Sequence, residues 1–128
     1  MIYVDSSVVL AYLLAESRAP STEFLKLFLV SSRLLEYEVW TRLHSRQLDE
    51  IIENTARSLL SGIELIDMSR HALRRSLAPW PVSLRTLDAL HLATAEYLRQ
   101  GGEALVFASY DHRLVTAARA LGFDIAAL

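Results

Sequence analysis

Met1-Ile2-Tyr3-Val4-Asp5-Ser6-Ser7-Val8-Val9-Leu10-Ala11-Tyr12-Leu13-Leu14 opens the chain, and its reading decides the fold. Ile2 to Val4 reads as a short buried strand, and Ser6 to Leu14 as a helix whose first turn follows Asp5 directly. Further along, the same alternation recurs. Phe28 to Ser31 is a plausible second strand, preceded by a short helical or irregular piece opening at Pro20. Ser32 is an N-cap candidate for a long helix to about Arg46, and Asp49 starts another to about Leu60. Ile63 to Asp67 alternates like a strand, Arg70 to Leu77 reads as helix, and Pro79-Trp80-Pro81 forces a loop. A helix from about Thr86 to Arg99 should stop at Gly101-Gly102. Leu105 to Ala108, His112 to Leu121 and Phe123 to Ala126 read as strand, helix and short strand.

Short apolar strands separated by helices predict an α/β protein: a three-layer α/β/α sandwich with a mainly parallel central sheet. The 128 residues fit one domain, 1–128. No stretch approaches the ~20 apolar residues of a membrane span, and no basic segment precedes an apolar run, so a cytoplasmic location is expected. The absence of cysteine excludes disulfides and thiolate metal sites, leaving oxygen or imidazole ligands for any ion. A net charge of -2 and a pI near 6.1 give none of the overall basic field of a general nucleic-acid binder. Twelve of the thirteen basic residues are Arg, a bias that suits phosphate contacts and that genomic base composition also produces. The 52% hydrophobic content and mean hydropathy of +0.25 exceed what a soluble monomer usually carries, which predicts an apolar face for a partner, a homodimer being the simplest case.

Four acids stand where an unpaired charge is expensive. Asp5 closes the first apolar run, Glu38 lies inside Leu34 to Trp40, Asp88 inside Leu84 to Leu92, and Asp111 follows Leu105 to Tyr110. Ligand sites in parallel sheets form outside the carboxyl ends of the strands, where Asp5 and Asp111 are expected, each just before a helix. Glu38 and Asp88 would reach the same place from helices. Each acid also has an ordinary explanation: Asp5 and Asp111 as N-caps, Asp88 as a favourable first-turn charge, Glu38 as an i,i+4 partner of Arg42. Taken together they point to a cleft neutralised by a divalent cation, since desolvation and mutual repulsion both oppose ionisation. His91 shares the face of Asp88 and reads as a supporting histidine rather than a ligand, and Glu36 competes with Glu38 for the helical position.

The matching segments of a known family are then in view. Tyr3-Val4-Asp5-Ser6-Ser7, Ser31-Ser32 with Leu34-Leu35 through Glu38, Leu84 to Ala95, and Ser109 to Leu114 with Ala117-Ala118 resemble, in order, the segments of PIN-domain ribonucleases. The resemblance is strongest to the toxins of type II toxin–antitoxin pairs, the VapC family, and Leu84 to Ala95 is its most specific part. It differs in the span from the first Asp to the Glu, which is shorter here, within Ser17 to Leu29.

This resemblance implies a PIN-like fold and a Mg2+ or Mn2+ ion held by Asp5, Glu38, Asp88 and Asp111, with Asp5 and Asp88 as the first ligands. It also implies a metal-activated water that hydrolyses RNA to leave a 5′-phosphate. Ser6 or Ser7 would orient a carboxylate or water, and His91 and Arg113 would support the site or contact substrate. Arg42, Arg46 and Arg85 are further phosphate candidates. The implied partners are RNA and a cognate antitoxin protein. Two other classes compete: a PIN-like scaffold without activity that binds RNA or protein, and a receiver-like phosphoacceptor, which would need a lysine near the acids. Lys26 is the only lysine and follows no clear strand.

Overall fold

The computed structural model describes residues 1–128. The elements in chain order are β1 (Ile2–Val4), α1 (Ser6–Leu13), a 3-10 turn (Phe24–Lys26), β2 (Leu29–Ser32), α2 (Leu34–His44), α3 (Glu50–Ser61), β3 (Ile63–Ile66), α4 (Arg70–Ser76), α5 (Thr86–Gln100), β4 (Val106–Ala108), α6 (His112–Ala120) and β5 (Asp124–Ile125). All five strands pair in parallel in the order β3-β2-β1-β4-β5. The expected α/β/α sandwich is therefore present, with a sheet that is wholly parallel.

Strand residues alternate between two cores. Val4 and Leu29 pack with Val8, Val9 and Leu13 of α1, Leu35, Val39 and Leu43 of α2, and Leu60 of α3. Tyr3, Val30 and Phe107 face the other way, onto Leu92 and Ala95 of α5 and Leu114, Ala117 and Ala118 of α6. A sheet covered on both faces needs apolar residues at consecutive positions, which is why its strands read as apolar runs rather than alternating ones. Each fully buried leucine contributes roughly 2 kcal/mol to this sandwich.

Local chemistry sets most element ends. Asp49 and Ser69 cap α3 and α4 by accepting from Ile52 N–H at 2.8 Å and Ala72 N–H at 3.0 Å. After α5, Gly102 adopts a φ of +95°, which closes the helix in a conformation side chains resist.

The expected start of α2 needs correction. Ser32 is the last residue of β2, fully buried, and Arg33 holds the cap position without a side-chain cap. The hydroxyl of Ser32 still accepts from Leu34 N–H at 3.2 Å, so it satisfies the helix start from inside the sheet. The helix also ends two residues short of Arg46, at His44.

Strand order places the site. From β1 the chain steps to β2 and β3 on one side, then crosses back to put β4 on the other side of β1. Order therefore reverses between β1 and β4, and a crevice opens at their carboxyl ends. Ala108 pairs with Val4, so Asp5 and Ser109 leave the sheet side by side. No helix is long and apolar enough to cross a membrane.

Candidate functional site

Asp5 occupies the N-cap position of α1 but caps nothing. Its carboxylate turns instead into the crevice, where Oδ1 accepts from Ser7 Oγ at 2.6 Å and Oδ2 from Ser109 Oγ at 2.9 Å. The residue is 4% exposed. Burial pushes its pKa up to about 6, against the pull of the Ser7 and Ser109 hydrogen bonds, so negative charge at this point is only partly compensated.

The two serines tie the β1–α1 turn to the β4–α6 turn. Ser7 Oγ accepts from Tyr110 N–H at 2.9 Å, and Ser109 Oγ accepts from Asp111 N–H at 2.9 Å. Both hydroxyls thus take backbone donors of one turn while donating to the same buried carboxylate. Ser109, not Asp111, is the first polar residue past β4, and its role escaped the sequence reading. Its signal is the strand register, which puts a small hydroxyl next to Asp5.

Glu38 projects from the second turn of α2 toward α5, where its Oε1 is hydrogen-bonded to His91 Nε2, and its Oε2 accepts from Ser6 Oγ at 3.1 Å. The alternative pairing with Arg42 does not form, and Glu36 pairs with Arg33 at 3.4 Å. His91 is buried, and its other ring nitrogen meets Tyr3 Oη at 2.8 Å. The Glu38 carboxylate only accepts, so His91 donates to it from Nε2, and the neutral ring then accepts at Nδ1 from the Tyr3 hydroxyl, which itself accepts from Ser32 N–H at 3.1 Å. Tyr3 completes this buried chain, and nothing in its apolar setting between Ile2 and Val4 announces it.

Asp88 lies in the first turn of α5, half-buried, with no hydrogen bond holding it. Its pKa is raised by burial first, then by the like charge of Asp111, with Glu38 adding to it. Asp111 caps α6, accepting from Leu114 N–H at 3.1 Å, so the ordinary explanation holds for this acid while failing for Asp5 and Glu38. All four acids nevertheless line one cleft of about 700 Å3, together with Ser6, Ser7 and Arg42. No three of them are drawn into a ready-made metal-binding cluster, as expected of carboxylates that repel each other.

The remaining candidates fall elsewhere. Arg113 donates to the Ser83 carbonyl at 3.5 Å and does not line the cleft. Arg46 and Arg85 are also absent from its walls, although Arg85 is near enough to Asp88 to oppose its pKa rise. Lys26 lines a separate hollow between α1 and α3, away from the acids, which removes the receiver-like arrangement.

Comparison with known proteins agrees with this geometry. The PIN domain family model matches residues 2–120. The chain is 30% identical to ribonuclease VapC47 of Mycobacterium tuberculosis over 132 aligned positions, covering 96% of this chain and 93% of the relative. It is 33% identical to ribonuclease VapC46 of the same organism, covering 98% and 96%. Among solved structures, a toxin–antitoxin complex from Klebsiella pneumoniae superposes with a TM-score of 0.67 at 18% identity, covering 98% of this chain and 97% of that one. PAE2754 from Pyrobaculum aerophilum gives 0.60 at 20% identity, covering 91% and 78%. These two likenesses speak to the fold. The family match and the full-length relatives settle the assignment: this chain belongs to the PIN domain family, in its VapC group.

Proposed function

We propose that this protein is a metal-dependent endoribonuclease and the toxin of a type II toxin–antitoxin pair. The observation that carries the reading is the convergence of Asp5, Glu38, Asp88 and Asp111, from four separate elements, on one crevice. Asp5 in particular is buried without serving the helix it precedes. Two full-length relatives named as ribonucleases support the substrate class.

The donor set fits a hard dication. The acids share the cleft lining with the hydroxyl residues Ser6, Ser7 and Thr41, all oxygen donors, and Mg2+ takes one or two carboxylates while keeping several waters, so a tight protein cage is not required. Asp5 and Asp88 would hold the ion, with Glu38 and Asp111 ligating directly or through water. When bound, Mg2+ or Mn2+ supplies positive charge against the phosphorane-like transition state and lowers the pKa of a water.

The chain's own contribution is to place and orient. Ser7 and Ser109 fix both oxygens of Asp5, and His91 with Ser6 fixes both oxygens of Glu38. Water adds its oxygen to phosphorus, the P–O3′ bond breaks, and the 3′-oxygen leaves with a proton, so the product carries a 5′-phosphate. Arg42 at the cleft wall faces the charge of the substrate backbone.

An antitoxin is the partner this reading requires, and self-association accounts for large apolar side chains left in solvent, among them Leu77 at 87% and Ile51 at 78% exposure. A native protein isolated as a free monomer with no co-purifying chain would contradict both.

The test is cleavage of single-stranded RNA with and without chelator. Activity is expected to vanish in EDTA, to return with Mg2+ or Mn2+ but not Ca2+, and to be lost in Asp5→Asn and Asp88→Asn. Cleavage undiminished in EDTA, or by either variant, overturns the mechanism.

A further inference from the structure

Beside the acidic cleft lies a second hollow of about 590 Å3 of opposite character. Arg18, Arg119 and His112 line it among apolar residues such as Val115 and Ile125, with no Asp or Glu. Neither arginine has a carboxylate within ion-pair distance, whereas Arg33, Arg57 and Arg75 are each matched to an acid. Tyr110 lines both this hollow and the acidic cleft. The ridge between them is rigid, since Ser109 Oγ is bonded to Asp5 and Tyr110 N–H to Ser7. On top of it the Arg18 guanidinium lies over the Tyr110 ring, 5.2 Å from its centre.

This pairing answers a problem the acidic cleft creates. A strand of RNA delivers one phosphate to the acids, whose charge repels the phosphates on either side, and a protein of net charge -2 has no general basic field to offset that. A local basic pocket one residue away does so. Combined with an aromatic platform and a cation stacked on it, it has the two components of sequence-tolerant single-strand binding: charge along the backbone and a face for a base.

Resting on the nuclease reading above, we propose that the Arg18–His112–Arg119 hollow is an RNA subsite that receives the nucleotide adjoining the cleavage point. Arg18, lying over Tyr110, forms the platform on which its base stacks, and the charges of Arg18 and Arg119 face its flanking phosphates.

Binding of a fluorescein-labelled single-stranded RNA of about twelve nucleotides, measured by anisotropy in an Asp88→Asn background across a salt series, tests this. Arg18→Ala with Arg119→Ala is expected to flatten the slope of log K against log salt by about 1.4, two phosphate contacts at about 0.7 each. Tyr110→Leu is expected to weaken binding at least about fivefold with the slope unchanged. Arg57→Ala, on a distant face over Trp40, is expected to change neither.

Unaltered affinity and slope in the arginine and tyrosine variants, with the parent protein binding and the unmutated enzyme cleaving, overturns the subsite alone. The same holds if those variants lose only a protein partner and keep RNA. Failure of the unmutated enzyme to bind or cleave any RNA overturns the nuclease reading and the subsite with it.

Discussion

Ser109 Oγ donates to Asp5 Oδ2 at 2.9 Å although the two residues are 104 positions apart. The bond exists because β1 and β4 are neighbours in register, so residues leaving the two strands emerge together. It holds a buried carboxylate in place and also receives Asp111 N–H, which links two of the four acids through one hydroxyl.

Ser109→Ala strips Asp5 of a donor and orphans the Asp111 N–H. A loss of about 1–3 kcal/mol in folding stability is expected, read from denaturant midpoints. Because the lost bond favoured the charged form, the Asp5 pKa rises further. The acid limb of the pH–rate profile should move to higher pH; an unmoved limb would show that Ser109 does not act on Asp5.

Asp5 makes metal-free stability depend on pH with a definite sign. Its folded pKa of about 6 lies above the ordinary carboxylate value of about 3.9, so folding favours the protonated form. That stabilisation is complete below the unfolded value and is lost as pH rises through the folded one. Asp88 is shifted in the same direction. In EDTA, the wild type should lose roughly 1 kcal/mol relative to Asp5→Asn between about pH 5 and about pH 8. Denaturation of both proteins at the two pH values checks this, and a pH-independent difference refutes it.

Tyr3→Phe removes one hydroxyl that serves three groups in sequence: Ser32 N–H, His91 and, through His91, Glu38. Substrate does not touch Tyr3, so kcat should fall about ten- to a hundredfold with KM nearly constant, as for a displaced catalytic group. A drop in KM affinity with kcat intact would place the role of Tyr3 elsewhere.

Under the proposed function, Asp111 has a part in the acidic site besides the helix cap it forms, and the two separate cleanly. Asn caps a helix as well as Asp, and Ala does not. Asp111→Asn should therefore keep wild-type stability while losing activity, whereas Asp111→Ala loses activity and about 1 kcal/mol of stability. Thermal melts paired with RNA cleavage distinguish them. An active Asp111→Asn protein would reduce this residue to a cap.

Backbone architecture was legible in the amino-acid order itself. Apolar runs such as Ile2 to Val4, caps such as Asp49 and the stop at Gly101-Gly102 act over a few residues, and elements built from them lie close to where they were expected. The candidate acids were legible too, as charges misplaced among apolar neighbours. Which groups each acid meets was decided only in three dimensions. Asp5 and Asp111 both precede helices, yet one caps and the other does not, because Ser7 and Ser109 compete for the first. Glu38 has Arg42 one turn away and chooses His91, 53 residues distant, since the strand order brings α2 and α5 to the same crevice. Ser32 looked like a helix cap and lies in a strand, and Tyr3 looked like plain core and anchors a histidine. Propensity and periodicity describe contacts between near neighbours along a chain, while the partner of a buried polar group is selected by sheet register and packing, which no local window contains.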